Sequence, residues 1–346
     1  MVFAKQSERV NDDLLVQENV ALQDFNTLAV PVAARFFCRA TTIKQLKAGL
    51  AFAKERQLSV LILGEGSNTV FTEDFNGLVI LNRLRGIEKT SETDGHVIVR
   101  AAAGENWHDF VDVCLSKRWF GLENLALIPG LVGAAPIQNV GAYGVEVKDA
   151  IVSVTYLELA TGVERTIDNA ACEFDYRDSI FKNKLNEKTV ITSVEFRLAK
   201  APCAQLAYPA LANQLGVNPS PRDIFNRVCD VRSAKLPLPK DIPNAGSFFK
   251  NPVIDNGQFE ALSSRYPDIV SFVVSDGVKL AAAWLIEQRG WKQKEVAGVK
   301  VHQQQALVVT NPKYKSGKNI LLLAQAIQKD IEEAFGVHLE IEPRIY

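Results

Sequence analysis

The sequence predicts an α+β chain of about two domains, or three small ones. Three observations carry this. A strand, a helix and a second strand are readable between residues 29 and 63. Two strands flank Ala160-Thr161-Gly162, a hairpin signal. The C-terminal third ends in a clean helical stripe, and the length of 346 residues suits about 150 residues per domain.

In chain order, residues 1–24 are polar and weakly patterned, so a loose arm is expected. Residues 29–39 read as a strand through Val30, Val32 and Phe36. Thr42 and Gln45 form a capping box: the Thr42 hydroxyl can accept the Gln45 amide proton, and Gln45 can reach back. Ile43, Leu46, Leu50 and Ala53 follow at helical spacing. The apolar run 58–63 stops at Gly64 and reads as a buried strand. This order predicts a parallel pair with a crossover. Residues 79–81 and 97–102 read as further strands, and Trp107, Phe110, Val111 and Cys114 mark one face of a helix after Gly104. Residues 151–159 and 163–167 form the hairpin, and residues 189–198 another strand. Residues 201–221 are irregular. Leu236-Pro237-Leu238-Pro239 is stiff and extended, because proline disfavours helix at itself and at the residue before it. A domain boundary is placed near Lys235. Residues 279–287 read as a helix. Ile320, Ala324, Ile327, Ile331 and Phe335 form the terminal stripe, stopped by Gly336, and residues 337–341 read as a strand.

Composition narrows the function. Lys plus Arg is 39 and Asp plus Glu is 40, a net charge of -1, which argues against nucleic-acid binding by bulk attraction. With 47% hydrophobic and 23% charged residues, disorder as the main state is excluded. The five cysteines are widely spaced, odd in number and without a Cys-x-x-Cys pair. They read as reduced, buried thiols, neither a disulfide framework nor a zinc site. His96, His108, His302 and His338 show no metal-ligand spacing, so no metal is expected. Four acidic residues in the first 18 argue against a secretory signal, and the apolar run 125–137 is too short to span a membrane. A soluble cytoplasmic protein is expected.

Several runs can carry chemistry. Gly64-Glu65-Gly66-Ser67-Asn68 follows a strand directly and can make a nest for a diphosphate. It lacks the third glycine of a dinucleotide fingerprint, since position 69 is Thr69, and alone it reads better as a plain turn. Residues 129–144 hold four Gly, three Ala and two Pro, small enough for close backbone approach. A ligand lying along this run, with Gln138 and Asn139 as fixed partners, is favoured over a surface loop. A long buried loop without one would leave backbone groups unpaired. Arg177, between acids and aromatics, is either an oriented guanidinium or a structural ion pair. Ser247, after small residues and before two Phe, can be a proton donor at a dry site, or a turn serine. No nucleophile elbow or triad accompanies it. Glu340 and Glu342 share one face of a strand, which by itself reads as a solvent edge.

Taken together, LILGEGSN (61–68), GLENLALIP (121–129), PIQNVGAYG (136–144), YRDSIFK (176–182) and NAGSFFKNP (244–252) resemble the UDP-N-acetylenolpyruvoylglucosamine reductase family. These are flavin enzymes of bacterial cell-wall precursor synthesis. The likeness runs from Asn26 to Arg344, and Leu206-Ala207-Tyr208 resembles the tyrosine loop of the first of the family's two types. The resemblance implies a vanillyl-alcohol-oxidase-type FAD module of two α+β subdomains, residues 1–85 and 86–235. A substrate domain would follow at 236–336, with residues 337–346 returning to the first subdomain. FAD would be held by Gly64, Gly66, Ser67 and Asn68, and by Pro129, Gly130, Gly133, Ala134, Gln138, Asn139, Gly141, Ala142, Tyr143 and Gly144. NADPH would reduce the flavin, and hydride would pass from N5 to C3 of UDP-N-acetylglucosamine enolpyruvate. Arg177 and Glu342 would face the developing negative charge, and Ser247 would protonate C2. Tyr176, Tyr208, Lys235 and Asn251 would bind the substrate. Pro343 departs from the family, where a β-branched residue is usual, and makes Glu340 the fallback acid. No nucleic acid, membrane insertion or obligate protein partner is implied. Two other readings stand beside this one. An alcohol oxidase of the same fold is disfavoured, because neither Gly-rich run holds a His for covalent flavin. An inactive flavin or nucleotide-sugar binding protein is opposed by the presence of Arg177, Ser247 and Glu342.

Overall fold

Leu14, Val16 and Val20 are buried while Leu15, Asn19 and Ala21 are exposed, the two-residue period of a half-covered strand. The computed structural model describes residues 7–11, 14–206, 208, 211, 213–216 and 218–346. In it Ser7–Asn11 pairs antiparallel with Leu14–Ala21. The expected loose arm is therefore a hairpin where it is described, and its residues 1–6 and 12–13 lie outside the described residues, as does Ala207 of the tyrosine stretch.

The hairpin edges a five-stranded sheet that continues through Ala33–Ala40, Phe75–Asn82 and Val60–Leu63. The predicted neighbours 29–39 and 58–63 do not pair. Phe75–Asn82 lies between them and runs parallel to Val60–Leu63. Six consecutive residues of that strand are buried, and a strand covered on both faces belongs in a sheet interior. Helix Ile43–Glu55 covers the sheet with Leu46, Leu50, Phe52 and Ala53 against Leu14, Val16, Leu78 and Ile80. The Gln45 N–H donates to Thr42 Oγ1 at 3.1 Å. Gln45 Oε1 accepts from the N–H of Thr41, not Thr42, at 2.8 Å, so the box closes one residue upstream of the expected place.

A second five-stranded sheet is antiparallel throughout, in the order Glu164–Asp168, Ile151–Glu158, Thr189–Ala199, His96–Ala102, Ile87–Glu92. Helix Trp107–Ser116 packs on it through Trp107 and Phe110, whose rings lie 6.1 and 5.0 Å from that of Phe196. Helix Pro221–Lys235 buries Ile224, Phe225, Val228 and Val231.

Packing divides the chain into two units. One comprises Met1–Val20, Ala34–Glu65 and Asn76–Arg232, and the other Ala21–Ala33, Gly66–Phe75 and Ser233–Tyr346. The second holds a four-stranded sheet (Asn244–Ser247, Val308–Thr310, Val299–Val301, Glu295–Val296) and a three-stranded one (Val253–Ile254, Gly277–Leu280, Ser271–Val274). The helix expected over 279–287 starts later, as Ala282–Gln288, because Lys279 and Leu280 pair with Phe272 and Ser271. Helix Gly317–Phe335 buries its whole predicted stripe, and Gly336 (φ 66°) closes it with a hydrogen bond to the Glu332 carbonyl at 2.8 Å. Residues 337–341 form no strand. Ile341 makes one isolated bridge to Phe249, and the strand comes after Pro343, as Arg344–Ile345, parallel to Thr69–Val70. Proline has no amide to give a ladder, which moves the pairing past it. No helix among the described residues is long and apolar enough to cross a membrane.

Candidate functional site

The turn after Val60–Leu63 leaves three consecutive backbone donors unused. The N–H groups of Glu65, Gly66 and Ser67 make no hydrogen bond to another described residue. Gly66 has φ +60°, and a Cβ there would meet the Phe25 carbonyl oxygen at 2.3 Å. Only glycine fits both conditions. The Asn68 carbonyl accepts from the Arg344 N–H at 3.0 Å, which fixes the far end of the turn. Successive free amides around a left-handed residue form a nest suited to an anion.

The second Gly-rich run is built differently. Val132 donates to the Glu105 carbonyl and Gly133 to the Ala103 carbonyl, both at 2.9 Å. Ala134, Ala135, Ile137 and Val140 donate within the run at 2.9 to 3.2 Å. Its backbone is largely self-satisfied, so the expectation that a ligand is needed to pair it is corrected. The glycines also answer to the protein. A Cβ on Gly133 would lie 2.5 Å from Ala103 Cβ, and one on Gly141 3.0 Å from an Arg177 terminal nitrogen. A Cβ on Gly64 would lie 3.2 Å from a Leu131 methyl.

Glu65 joins the two runs. Its Oε1 accepts from the Asn106 side-chain amide and its Oε2 from the Gly130 N–H, both at 3.0 Å. Asn106 Oδ1 in turn accepts from the Asp109 N–H at 3.1 Å and caps helix Trp107–Ser116. Gly130 has φ 115°, and its carbonyl accepts from the Trp107 N–H at 3.0 Å. Arg83 donates to the Gly64 carbonyl at 3.1 Å. Burial lowers the Arg83 pKa and the nearby Glu65 charge opposes this.

Arg177 stands at the tip of a tight turn closed by reciprocal hydrogen bonds of Asp175 and Asp178 at 3.1 and 3.2 Å, with φ +54°. Its guanidinium donates to the carbonyls of Gly141 at 2.6 Å and Asn139 at 3.4 Å, and lies 5.4 Å from the Tyr176 ring. The guanidinium is thus gripped by backbone oxygens of the second run. Asn139 is fully buried. Its amide hydrogens go to Glu146 Oε2 (3.0 Å) and the Asp175 carbonyl (2.9 Å), and its oxygen accepts from the Lys148 N–H (3.1 Å). Its side chain ties the run to the Arg177 turn. Ala142 pairs with Val145, and Tyr143 (φ 50°) and Gly144 (φ 82°) form the bend between them. The Tyr143 ring meets that of Tyr208 edge-on at 5.3 Å. Burial pushes the pKa of the Tyr143 hydroxyl up, and the nearby Arg232 charge opposes this. Arg232, which the sequence reading passed over, donates to the Leu127 carbonyl at 3.1 Å, and burial pushes its pKa down. Gln138 is half-buried, and Pro129 and Ala134 are exposed.

In the second unit, Ser247 is exposed rather than held dry. It ends a strand in which Asn244 opposes Thr310 and Ser247 opposes Val308, so one extra residue bulges out. Gly246 (φ +69°) supplies the bulge, and its N–H donates to Asn244 Oδ1 at 2.8 Å. Buried Phe248 and Phe249 anchor the chain just beyond. The Glu342 N–H donates to the Phe248 carbonyl at 2.9 Å, which sets Glu342 beside the residue after Ser247. Glu340 pairs with Lys250 at 2.5 Å. Asn251 Oδ1 accepts the Ala282 N–H at 3.0 Å. Lys235 is exposed at the end of its helix, and Tyr208 is exposed too.

Two family models match the chain: an FAD binding domain over residues 34–168, and the C-terminal domain of UDP-N-acetylenolpyruvoylglucosamine reductase over residues 237–346. The chain is 49% identical over 329 residues to the UDP-N-acetylenolpyruvoylglucosamine reductase of Paraburkholderia phymatum, covering 93% of this chain and 95% of that one. Identity to the Paraburkholderia xenovorans protein of the same name is 50% over 329 residues, with the same coverage. Among solved structures it is similar to UDP-N-acetylenolpyruvylglucosamine reductase from Thermus caldophilus, with TM-score 0.65 and 21% identity, covering 99% of this chain and 100% of that one. A solvent-stable cholesterol oxidase aligns with TM-score 0.54 and 9% identity over 97% of this chain and 88% of its own. At these identities the two structures speak to the fold, which is α+β and of the vanillyl-alcohol-oxidase type with a further C-terminal domain.

Proposed function

The chain belongs to the UDP-N-acetylenolpyruvoylglucosamine reductase family, and from that membership we propose that it is an FAD-dependent oxidoreductase. It reduces UDP-N-acetylglucosamine enolpyruvate to UDP-N-acetylmuramate with NADPH, in peptidoglycan precursor synthesis. The observation that carries this is 49% identity to a reductase of that name across 93% of the chain. The residues present fit FAD, because three adjacent free amides at Glu65, Gly66 and Ser67 suit its diphosphate. Asn68 and the second run, Pro129, Gly130, Gly133, Ala134, Gln138, Asn139, Gly141, Ala142, Tyr143 and Gly144, complete the assigned cofactor shell. Residues 1–85 and 86–235 are assigned to the flavin module and 236–336 to the UDP-sugar domain. Residues 337–346 are assigned to return to the first subdomain, where Arg344–Ile345 pairs with Thr69–Val70.

The chemistry that FAD supplies when bound is hydride, drawn from NADPH, for C3 of the enolpyruvyl group. Negative charge then grows at C2 and its carboxylate, and a preset cation is the largest help to it. Arg177 is assigned that role, since its two grips on backbone carbonyls fix its plane beforehand. Glu342 is assigned to donate a second hydrogen bond to the same carboxylate, a role open only to its protonated form. It is preferred to Glu340 because its N–H bond to the Phe248 carbonyl sets it beside the residue after Ser247. Ser247 protonates C2, a step that asks for position more than acidity. Its exposure leaves solvent able to restore the proton. Tyr176, Tyr208, Lys235 and Asn251 bind the UDP-sugar.

The test is an anaerobic visible spectrum, first with NADPH and then with the enolpyruvyl sugar. A flavin band that bleaches and then returns supports both halves. A band that bleaches and stays bleached refutes the substrate. The Ser247→Ala variant is expected to bleach normally and fail to recover, and recovery at the wild-type rate removes Ser247 from the mechanism.

A further inference from the structure

A carboxylate beside amides that receive a diphosphate is electrostatically misplaced unless its charge is committed elsewhere. Both oxygens of Glu65 are committed, one to the Asn106 amide and one to the Gly130 N–H, each at 3.0 Å. Asn106 cannot drift, because its own oxygen caps helix Trp107–Ser116 and residues 106 and 131 form an antiparallel bridge. Gly130 cannot turn over freely, because its carbonyl is held by Trp107. Gly64, on the other side of Glu65, is held by Arg83 through its carbonyl. Glu65 is thus fastened to three fixed points while its own N–H and the next two remain unused.

We propose that Glu65 is a positioning residue for the cofactor: its carboxylate, bridging Asn106 and Gly130, fixes the first turn so that its amides are already arranged for a diphosphate. This rests on the reading that the chain binds FAD. The bridge needs an acceptor at both ends. A Gln at position 65 sets an NH2 group against one of two donors, and an Asp at position 106 keeps the helix cap but sets a second carboxylate against Glu65.

The experiment strips flavin from the full chain and titrates FAD back, following quenching of flavin fluorescence, alongside thermal midpoints of the flavin-free proteins. Wild type is expected to rebind FAD. Glu65→Gln and Asn106→Asp are each expected to raise the FAD Kd about tenfold or more, the scale of losing a charge-assisted hydrogen bond. The double variant should recover much of the loss of either single one, since the amide introduced at position 65 can donate to the carboxylate introduced at position 106 while its oxygen still accepts from Gly130. An unchanged Kd with a lowered flavin-free midpoint makes the bridge a purely structural tie and overturns the proposal. If Glu65→Gln does not fold, an unchanged Kd in Asn106→Asp overturns it equally. Failure of wild type to take up FAD refutes the flavin reading itself, and the proposal with it.

Discussion

Gly133→Ala separates two reasons for a glycine in the second run. The added Cβ would lie 2.5 Å from Ala103 Cβ and 3.1 Å from the Ala103 carbonyl oxygen. Carbon atoms rest at about 3.5–4.0 Å, so one strand must retreat by roughly 1 Å. Ala103 has nowhere to go. It is fully buried, and its neighbour Gly104 already sits where a Cβ would be 2.3 Å from the Leu84 nitrogen. The retreat also stretches the Gly133 to Ala103 hydrogen bond of 2.9 Å. Overpacking costs about 1–3 kcal/mol and a lost backbone bond about 1 kcal/mol, giving roughly 2–4 kcal/mol in all. For a unit of this size that lowers Tm by about 4–16 °C. The assay is thermal unfolding of the flavin-free variant against flavin-free wild type. If the two melt together while FAD affinity collapses, the glycine is there for the cofactor and the packing argument is refuted.

Asn139→Ala removes a fully buried amide that serves Glu146, Asp175 and Lys148. It should cost about 2–4 kcal/mol in urea unfolding and lower turnover through the displaced Arg177 turn, and a variant within 0.5 kcal/mol, about the spread of neutral surface changes, contradicts this. Glu123 is buried with Oε1 unpartnered, and burial raises its pKa above the ordinary 4.5, opposed by the N–H groups of Glu123 and Gly121. As pH rises past 4.5 the unfolded chain loses this proton first, so wild-type stability falls until the folded group has titrated too. Glu123→Gln lacks that loss. Its advantage over wild type in urea midpoint should widen with pH across this window, and a gap independent of pH refutes the assignment.

Periodic elements were legible in the sequence because their period is local. The stripe from Ile320 to Phe335 and the hairpin strands around Gly162 need only near neighbours to be read. Leu14–Ala21 was missed because Gln17, Glu18 and Asn19 interrupt the alternation, although Leu14, Val16 and Val20 keep it. Sheet order was not legible, since the run 75–82 names no partner, only that both its faces are covered. The site motifs stood out by composition, but the reasons for their glycines did not, because these lie in contacts with Ala103, Arg177 and Phe25. Glu65, Asn106 and Arg232 escaped for the same cause. Their partners lie 41, 65 and 105 residues away along the chain, and no local pattern reports them. Ser247 was singled out, while its exposure depends on a bulge set by pairing with Val308 and Thr310.

The pairing of Arg344–Ile345 with Thr69–Val70 bears on the order in which the chain acquires its shape during synthesis. Thr72 is joined through its hydroxyl to the Tyr346 carbonyl, 274 residues later. At about 5–20 residues per second, the ribosome needs roughly 14–55 s to deliver the second partner after the first. Until then Val70 and Phe71, both fully buried in the finished protein, have no strand or Tyr346 ring to cover them. The nascent chain should therefore be a client for holding chaperones around residue 70, and the first glycine turn gains its downstream anchor only once residue 344 has been made.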